Sequence, residues 1–202
     1  MNSKLLSLLH HCDPSTTILC LSLPEKCPLC DRALGQAVSV CERPSPLVHS
    51  FSAPYSIVIK PTKGTFLETY TRDCNLHVGV CDSRGVVYDF DERGVNRSLE
   101  GWEQCVAIRM EQTVHSRGLW DVRLREFTCD EQWRGECYEE SRMNCYDFAL
   151  QFLSLMGFND VLDKQRFVER RVLPQTKHVA KYLAVYRKVV ADGFIQIQST
   201  SL

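Results

Sequence analysis

The sequence predicts an α+β protein, with an antiparallel sheet packed on helices and a small cysteine-rich element ahead of it. Three observations predict this. Short β-branched runs with strand-like alternation occupy residues 55–109. Apolar residues at helical spacing dominate beyond residue 144. The first 50 residues carry five of the eleven cysteines and five of the eight prolines, ending in Pro44 and Pro46 as a linker. The expected division is therefore residues 1–50, a cysteine-rich element, and residues 51–202, one α+β domain. A chain of 202 residues is long enough for one sizeable core and too short for two full domains.

Residues 55–60 alternate apolar and polar and read as a strand that Pro61 ends. Residues 76–81 and 85–90 are two further strand-like runs. Asp82-Ser83-Arg84-Gly85 between them is turn material, so the pair reads as a hairpin followed by a glycine turn at Gly94-Val95. Residues 104–109 form another strand candidate. Residues 115–133 place Trp120, Leu124 and Phe127 on one helical face, favouring a short helix. Residues 144–157 give the clearest helix. Phe148, Ala149, Phe152, Leu153, Leu155 and Met156 form its stripe, Asn144 caps it, Asp147 suits its positive end, and Gly157 stops it. A second helix is expected over 161–173, ended by Pro174. A third is expected over 176–192, burying Val179, Tyr182, Leu183, Tyr186 and Val190. Gly193 ends it and residues 194–197 alternate as a last strand.

Composition narrows the function. Lys plus Arg number 24 against 25 Asp plus Glu, so no basic stripe marks a nucleic-acid binder. The apolar run at residues 5–9 is short and broken by Ser7, unlike a secretory signal. No segment approaches the roughly 20 apolar residues that span a bilayer. An intracellular protein, cytoplasmic or nuclear, is expected. In a reducing compartment the odd set of cysteines reads as metal ligands, catalytic thiols or buried hydrophobes.

Two cysteine sites stand out. Cys145 opens the clearest helix, where unpaired amides and the macrodipole favour a thiolate. His77, in Asn75-Leu76-His77-Val78-Gly79-Val80, lies on a strand, and Gly79 leaves room beside an imidazole. An imidazole near the thiol would take its proton and later return it to a leaving group. A buried, inert cysteine and a core histidine explain the same residues without chemistry. Asp89 and Asn144 are candidates to orient the imidazole, although a solvent-facing strand residue is the simpler reading of Asp89.

Near the front, Cys27-Pro28-Leu29-Cys30 has the spacing with which a tight turn holds Zn²⁺. Cys12 is the third candidate ligand, and His11, Cys20 or Cys41 could supply a fourth. A structural zinc is the cofactor expected from Cys12, Cys27 and Cys30. A reduced, unliganded loop is the alternative.

The order of a strand histidine, the hairpin Gly85-Val86-Val87-Tyr88-Asp89-Phe90, and Asn144-Cys145-Tyr146-Asp147-Phe148 opening a helix resembles the permuted papain-like thiol proteins. These include the PPPDE isopeptidases and, more distantly, lecithin–retinol acyltransferase-like enzymes. The resemblance implies a permuted papain-like fold with His77 and Cys145 as the catalytic pair. One departure is Tyr146-Asp147 after Cys145, where the isopeptidases have Asn, and a carboxylate there would oppose the thiolate.

A resemblance over most of the chain is to the makorin-2 opposite-strand protein family. It rests on Lys60-Pro61-Thr62-Lys63-Gly64-Thr65-Phe66-Leu67, Leu76-His77-Val78-Gly79-Val80, Glu100-Gly101-Trp102-Glu103-Gln104, Asn144-Cys145-Tyr146 and the Cys27–Cys30 knuckle. It implies no particular activity, and it favours the His11-Cys12 end over Cys41 for the metal. Two functions remain open. The first is a non-catalytic binding or scaffold protein holding a protein partner. The alternative is a cysteine-dependent hydrolase or acyltransferase acting on an isopeptide of a ubiquitin-like substrate or on another acyl group.

Overall fold

The computed structural model describes residues 5–9, 12–13, 15–34, 39–110, 114–158 and 163–198. The chain forms two compact units. One comprises Met1–Pro46 with Val179–Leu202, the other Leu47–His178.

The first unit is built on a four-stranded antiparallel sheet. β1 (Leu5–Leu9) pairs with β2 (Thr16–Cys20) on one side and β3 (Ser39–Arg43) on the other, and β2 also pairs with β9 (Phe194–Gln198). The expected last strand therefore forms and lies beside the cysteine-rich element. The run at residues 5–9, notable in the sequence only as too short for a signal, is a central strand. Ile18, Cys20 and Cys27 make a buried cluster, against which Leu6, Cys30, Leu34 and Phe194 pack.

The second unit contains a five-stranded antiparallel sheet in the order β7-β6-β5-β4-β8. These strands are β4 (Ser56–Pro61), β5 (Leu76–Cys81), β6 (Val87–Asp91), β7 (Gly94–Ser98) and β8 (Val106–Arg109). The β5–β6 turn follows from its residues. Asp82 Oδ1 accepts from the Arg84 and Val86 amides at 2.8 and 2.9 Å, and Gly85 takes φ +80°. The glycine turn expected at Gly94-Val95 falls earlier, on Glu92 and Arg93. Gly94 instead starts β7, with φ +99°.

Helices complete this unit. α1 (Val114–Thr128) buries Trp120 and Leu124, and the Trp120 indole donates to the Cys81 carbonyl at 2.8 Å. α2 (Cys145–Leu155) buries Phe148, Ala149, Phe152 and Leu153. Leu155, expected in that stripe, is 51% exposed at the helix end. Phe148 meets Trp133 and Phe127 at ring-centroid distances of 5.0 and 5.2 Å, and Phe152 meets Trp120 edge-on at 4.8 Å. Such aromatic pairs add about 0.5–1.5 kcal/mol each beyond burial, so the start of α2 is firmly fixed.

The last helical stretch differs from expectation. α3 (Lys164–Phe167), a π turn (Val168–Val172) and α4 (Leu173–Asp192) follow one another without a break at Pro174. The Leu173 amide bonds Val168 five residues back, and this widened turn makes room for the proline ring that would clash in a regular helix. Residues 161–162 of the expected second helix lie outside the described residues. On α4, Val179, Leu183, Tyr186 and Val189 are buried, whereas Val190, expected inside, is 57% exposed. The buried stripe passes through the neighbouring Val189.

Candidate active site

His77 stands on β5, with Lys60 of β4 as its direct partner; one pair further on, Gly79 faces Asp89 of β6, and Asp89 faces Asn96 of β7. Lys60, His77, Gly79, Asp89 and Asn96 therefore share one face of the sheet. His77 Nε2 lies 2.7 Å from Asp89 Oδ2, and Asn96 Nδ2 donates to the same oxygen at 3.3 Å. Asp89 is 7% exposed. The simpler sequence reading of Asp89, a solvent-facing strand residue, is thus corrected. Its diagonal position relative to His77 turns the carboxylate inward to the imidazole.

Nε2 is engaged by Asp89, and the Cys145 side chain is near enough to the imidazole to act on its charge. His77 is thus bonded to a carboxylate, and Cys145 is one of the groups that act on its charge. Burial disfavours the imidazolium, but Asp89 and Cys145 outweigh burial and raise the His77 pKa to about 9. The charge favoured on this ring is positive.

The packing around the imidazole is tight. The Trp102 ring lies 6.0 Å from it, and Lys60 Nζ sits 4.4 Å over that indole. A Cβ at Gly79 would lie 2.3 Å from Val87 Cγ1 and 3.3 Å from Trp102. The glycine thus admits Val87 and Trp102, rather than leaving space for the imidazole as the sequence suggested.

Cys145 is the first residue of α2 and is 5% exposed. Asn144 accepts from the Tyr146 amide at 2.9 Å, and Asp147 accepts from the Asn144 amide at 2.9 Å, completing a capping box. Asn144 is therefore a cap, and Asp89 holds the orienting place for which both were candidates. Asp147 also receives Lys164 Nζ at 2.6 Å, so its charge is paired. Burial raises the pKa of Tyr146 and of Tyr138, and the nearby Cys145 adds to both.

In the first unit, the sulfurs of Cys12, Cys27 and Cys30 all lie within 4.8 Å of one another, and Cys12 and Cys27 are 3.9 Å apart. Tetrahedral Zn–S bonds of about 2.3 Å would place ligand sulfurs about 3.8 Å apart. The three thiols therefore fit a metal. Burial pushes the Cys27 thiol up, but the Leu29 and Cys30 amides and the neighbouring thiols outweigh it, leaving its pKa lowered. The Cys27 amide and carbonyl close the turn with Arg32 and Asp31 at 2.8 and 2.9 Å, and Asp31 takes φ +56°. Cys41 lies exposed on β3, Cys20 is buried in β2, and His11 lies outside the described residues.

The DUF4796 C-terminal family model matches residues 40–189. The MKRN2 opposite strand protein of Homo sapiens is 34% identical over 95% of this chain and 88% of its own. The chain belongs to this family. No solved structure matches it. Among the described residues, no helix is long and apolar enough to cross a membrane.

Proposed function

We propose that the second unit is a permuted papain-like domain whose Cys145, His77 and Asp89 form a triad for acyl-transfer chemistry at an amide, isopeptide or ester. One observation supports this: the His77 imidazole is bonded to the Asp89 carboxylate, and Asp89 and Cys145 both raise its pKa. Asp89 fixes the ring and favours its charged form. His77 takes the proton of Cys145, and the sulfur attacks the substrate carbonyl carbon. As the C–N or C–O bond breaks, the imidazolium returns the proton to the leaving amine or alcohol. Water, deprotonated by His77, then cleaves the thioester and restores the thiol; a second amine or alcohol in its place completes a transfer. A ubiquitin-like protein is the macromolecular substrate this reading suggests.

The competing reading, a non-catalytic binding protein, draws on the burial of Cys145, which is 5% exposed. An electrophilic ubiquitin-like probe and a small acyl electrophile separate the two. Labelling confined to Cys145, abolished by His77→Ala and slowed by Asp89→Asn, supports the enzyme. Equal labelling of all exposed cysteines regardless of His77, with a bound partner retained by Cys145→Ser, supports the scaffold.

In the cysteine-rich element of residues 1–50, we propose a structural Zn²⁺ held by Cys12, Cys27 and Cys30. The sulfur spacing and the amides directed at Cys27 support it. Such an ion would tie the knuckle to the strand-leading segment at Cys12 in an element with little core of its own.

A further inference from the structure

Asp147 places a carboxylate in the first turn of α2, two positions along the chain from Cys145, and a negative charge in that turn opposes a thiolate there. Its role as a cap requires only an acceptor oxygen for the Asn144 amide. Lys164 of α3 adds something different, a positive charge 2.6 Å from that same oxygen. The two side chains are 36% and 20% exposed, so the pair is only partly screened by water. Cys145 acts on His77 from β5, which Asp89 of β6 bonds, on Tyr138 from the segment before α2 and on Tyr146 of α2; Asp147 shares the first turn of α2 with Cys145, and Lys164 is paired with Asp147. Of these, only His77 and Lys164 can carry positive charge.

We infer that Lys164 is a positioning residue for the proposed reaction, acting through Asp147: it offsets the carboxylate so that the helix keeps its capping box without disfavouring a thiolate at Cys145. This rests on the reading of Cys145 as the nucleophile. It explains how an acidic residue is accommodated beside that thiol, and it sets a charge balance at the start of α2 that three substitutions can shift in different directions.

The test is the pH profile of Cys145 alkylation by iodoacetamide in the full chain, read by peptide mass spectrometry. Lys164→Met is expected to move the midpoint up by about half a pH unit, slowing alkylation about threefold below it. Lys164→Arg is expected to keep the original profile. Asp147→Asn with Lys164→Met is expected to return to that profile or fall below it. A Lys164→Met profile that superposes on the parent, or a shift that persists with Asp147→Asn, overturns the inference. If Lys164→Met does not fold, Asp147→Asn alone decides. A downward midpoint supports the inference, and an unchanged or raised one overturns it. The underlying reading fails separately: alkylation of Cys145 that is indifferent to His77→Ala removes the nucleophile itself. Dependence on His77 with no effect of Lys164 removes only the charge balance.

Discussion

His77 is the residue on which the site turns, because it is bonded to Asp89 and its charge responds to both Asp89 and Cys145. Its pKa is raised to about 9 because Asp89 and Cys145 overcome the opposing effect of burial. A raised folded value means that the charged ring stabilises the fold. That contribution is complete below the unfolded value of about 6.5 and is lost as pH climbs through about 9. Urea unfolding should therefore show stability falling between pH 6.5 and 9.5, and Asp89→Asn should flatten that fall. A variant as pH-sensitive as the parent across this window would remove Asp89 as the partner responsible. Asn96, donating to the same carboxylate at 3.3 Å, restricts the rotation of Asp89 without carrying charge.

At the scale of elements, α2 was the most legible part of the chain, and for a local reason. Its cap, its first-turn carboxylate and its apolar spacing all lie within one short stretch, and each acts over a single helical turn. Asn144→Ala should cost about 1 kcal/mol, read as a lower midpoint of chemical unfolding with an unchanged slope. A loss well below half of that would mean that the aromatic contacts of Phe148 alone fix the helix start. The β5–β6 hairpin was legible in the same way, since Asp82 and Gly85 build its turn from their own side chain and backbone. The stretch around Pro174 was not. A proline is a sound stop signal in a regular helix, but the π turn before it changes the ring of atoms it must avoid. Helical periodicity also drifts, so Val190 and Val189 exchanged places at the buried edge of α4.

At the scale of the molecule, the cysteine cluster makes the first unit depend on contacts far apart in sequence. Cys27 packs with Ile18 and Cys20, and Phe194 from the other end of the chain closes over the same cluster. If zinc holds Cys12, Cys27 and Cys30, stoichiometric metal should accompany the purified protein. A strong chelator should then lower its thermal stability and open Cys27 and Cys30 to alkylation. Purified protein without metal, and with both thiols alkylated before any chelator is added, would leave the knuckle a reduced loop. By itself the sequence determined the α+β class, the start of α2, the β5–β6 hairpin and the pairing candidates Cys145 and His77. The helix start and the hairpin rest on forces acting between near neighbours along the chain, whereas Cys145 and His77 were put forward as a pair by the family resemblance. Only the tertiary structure decided that β9 completes the sheet of the first unit and that Asp147 is neutralised by Lys164. It likewise decided that Asp89 turns inward to the imidazole. Each of these depends on strand register or on a long-range partner, and a period of two or of 3.6 residues states which face a side chain shares but not what stands opposite it.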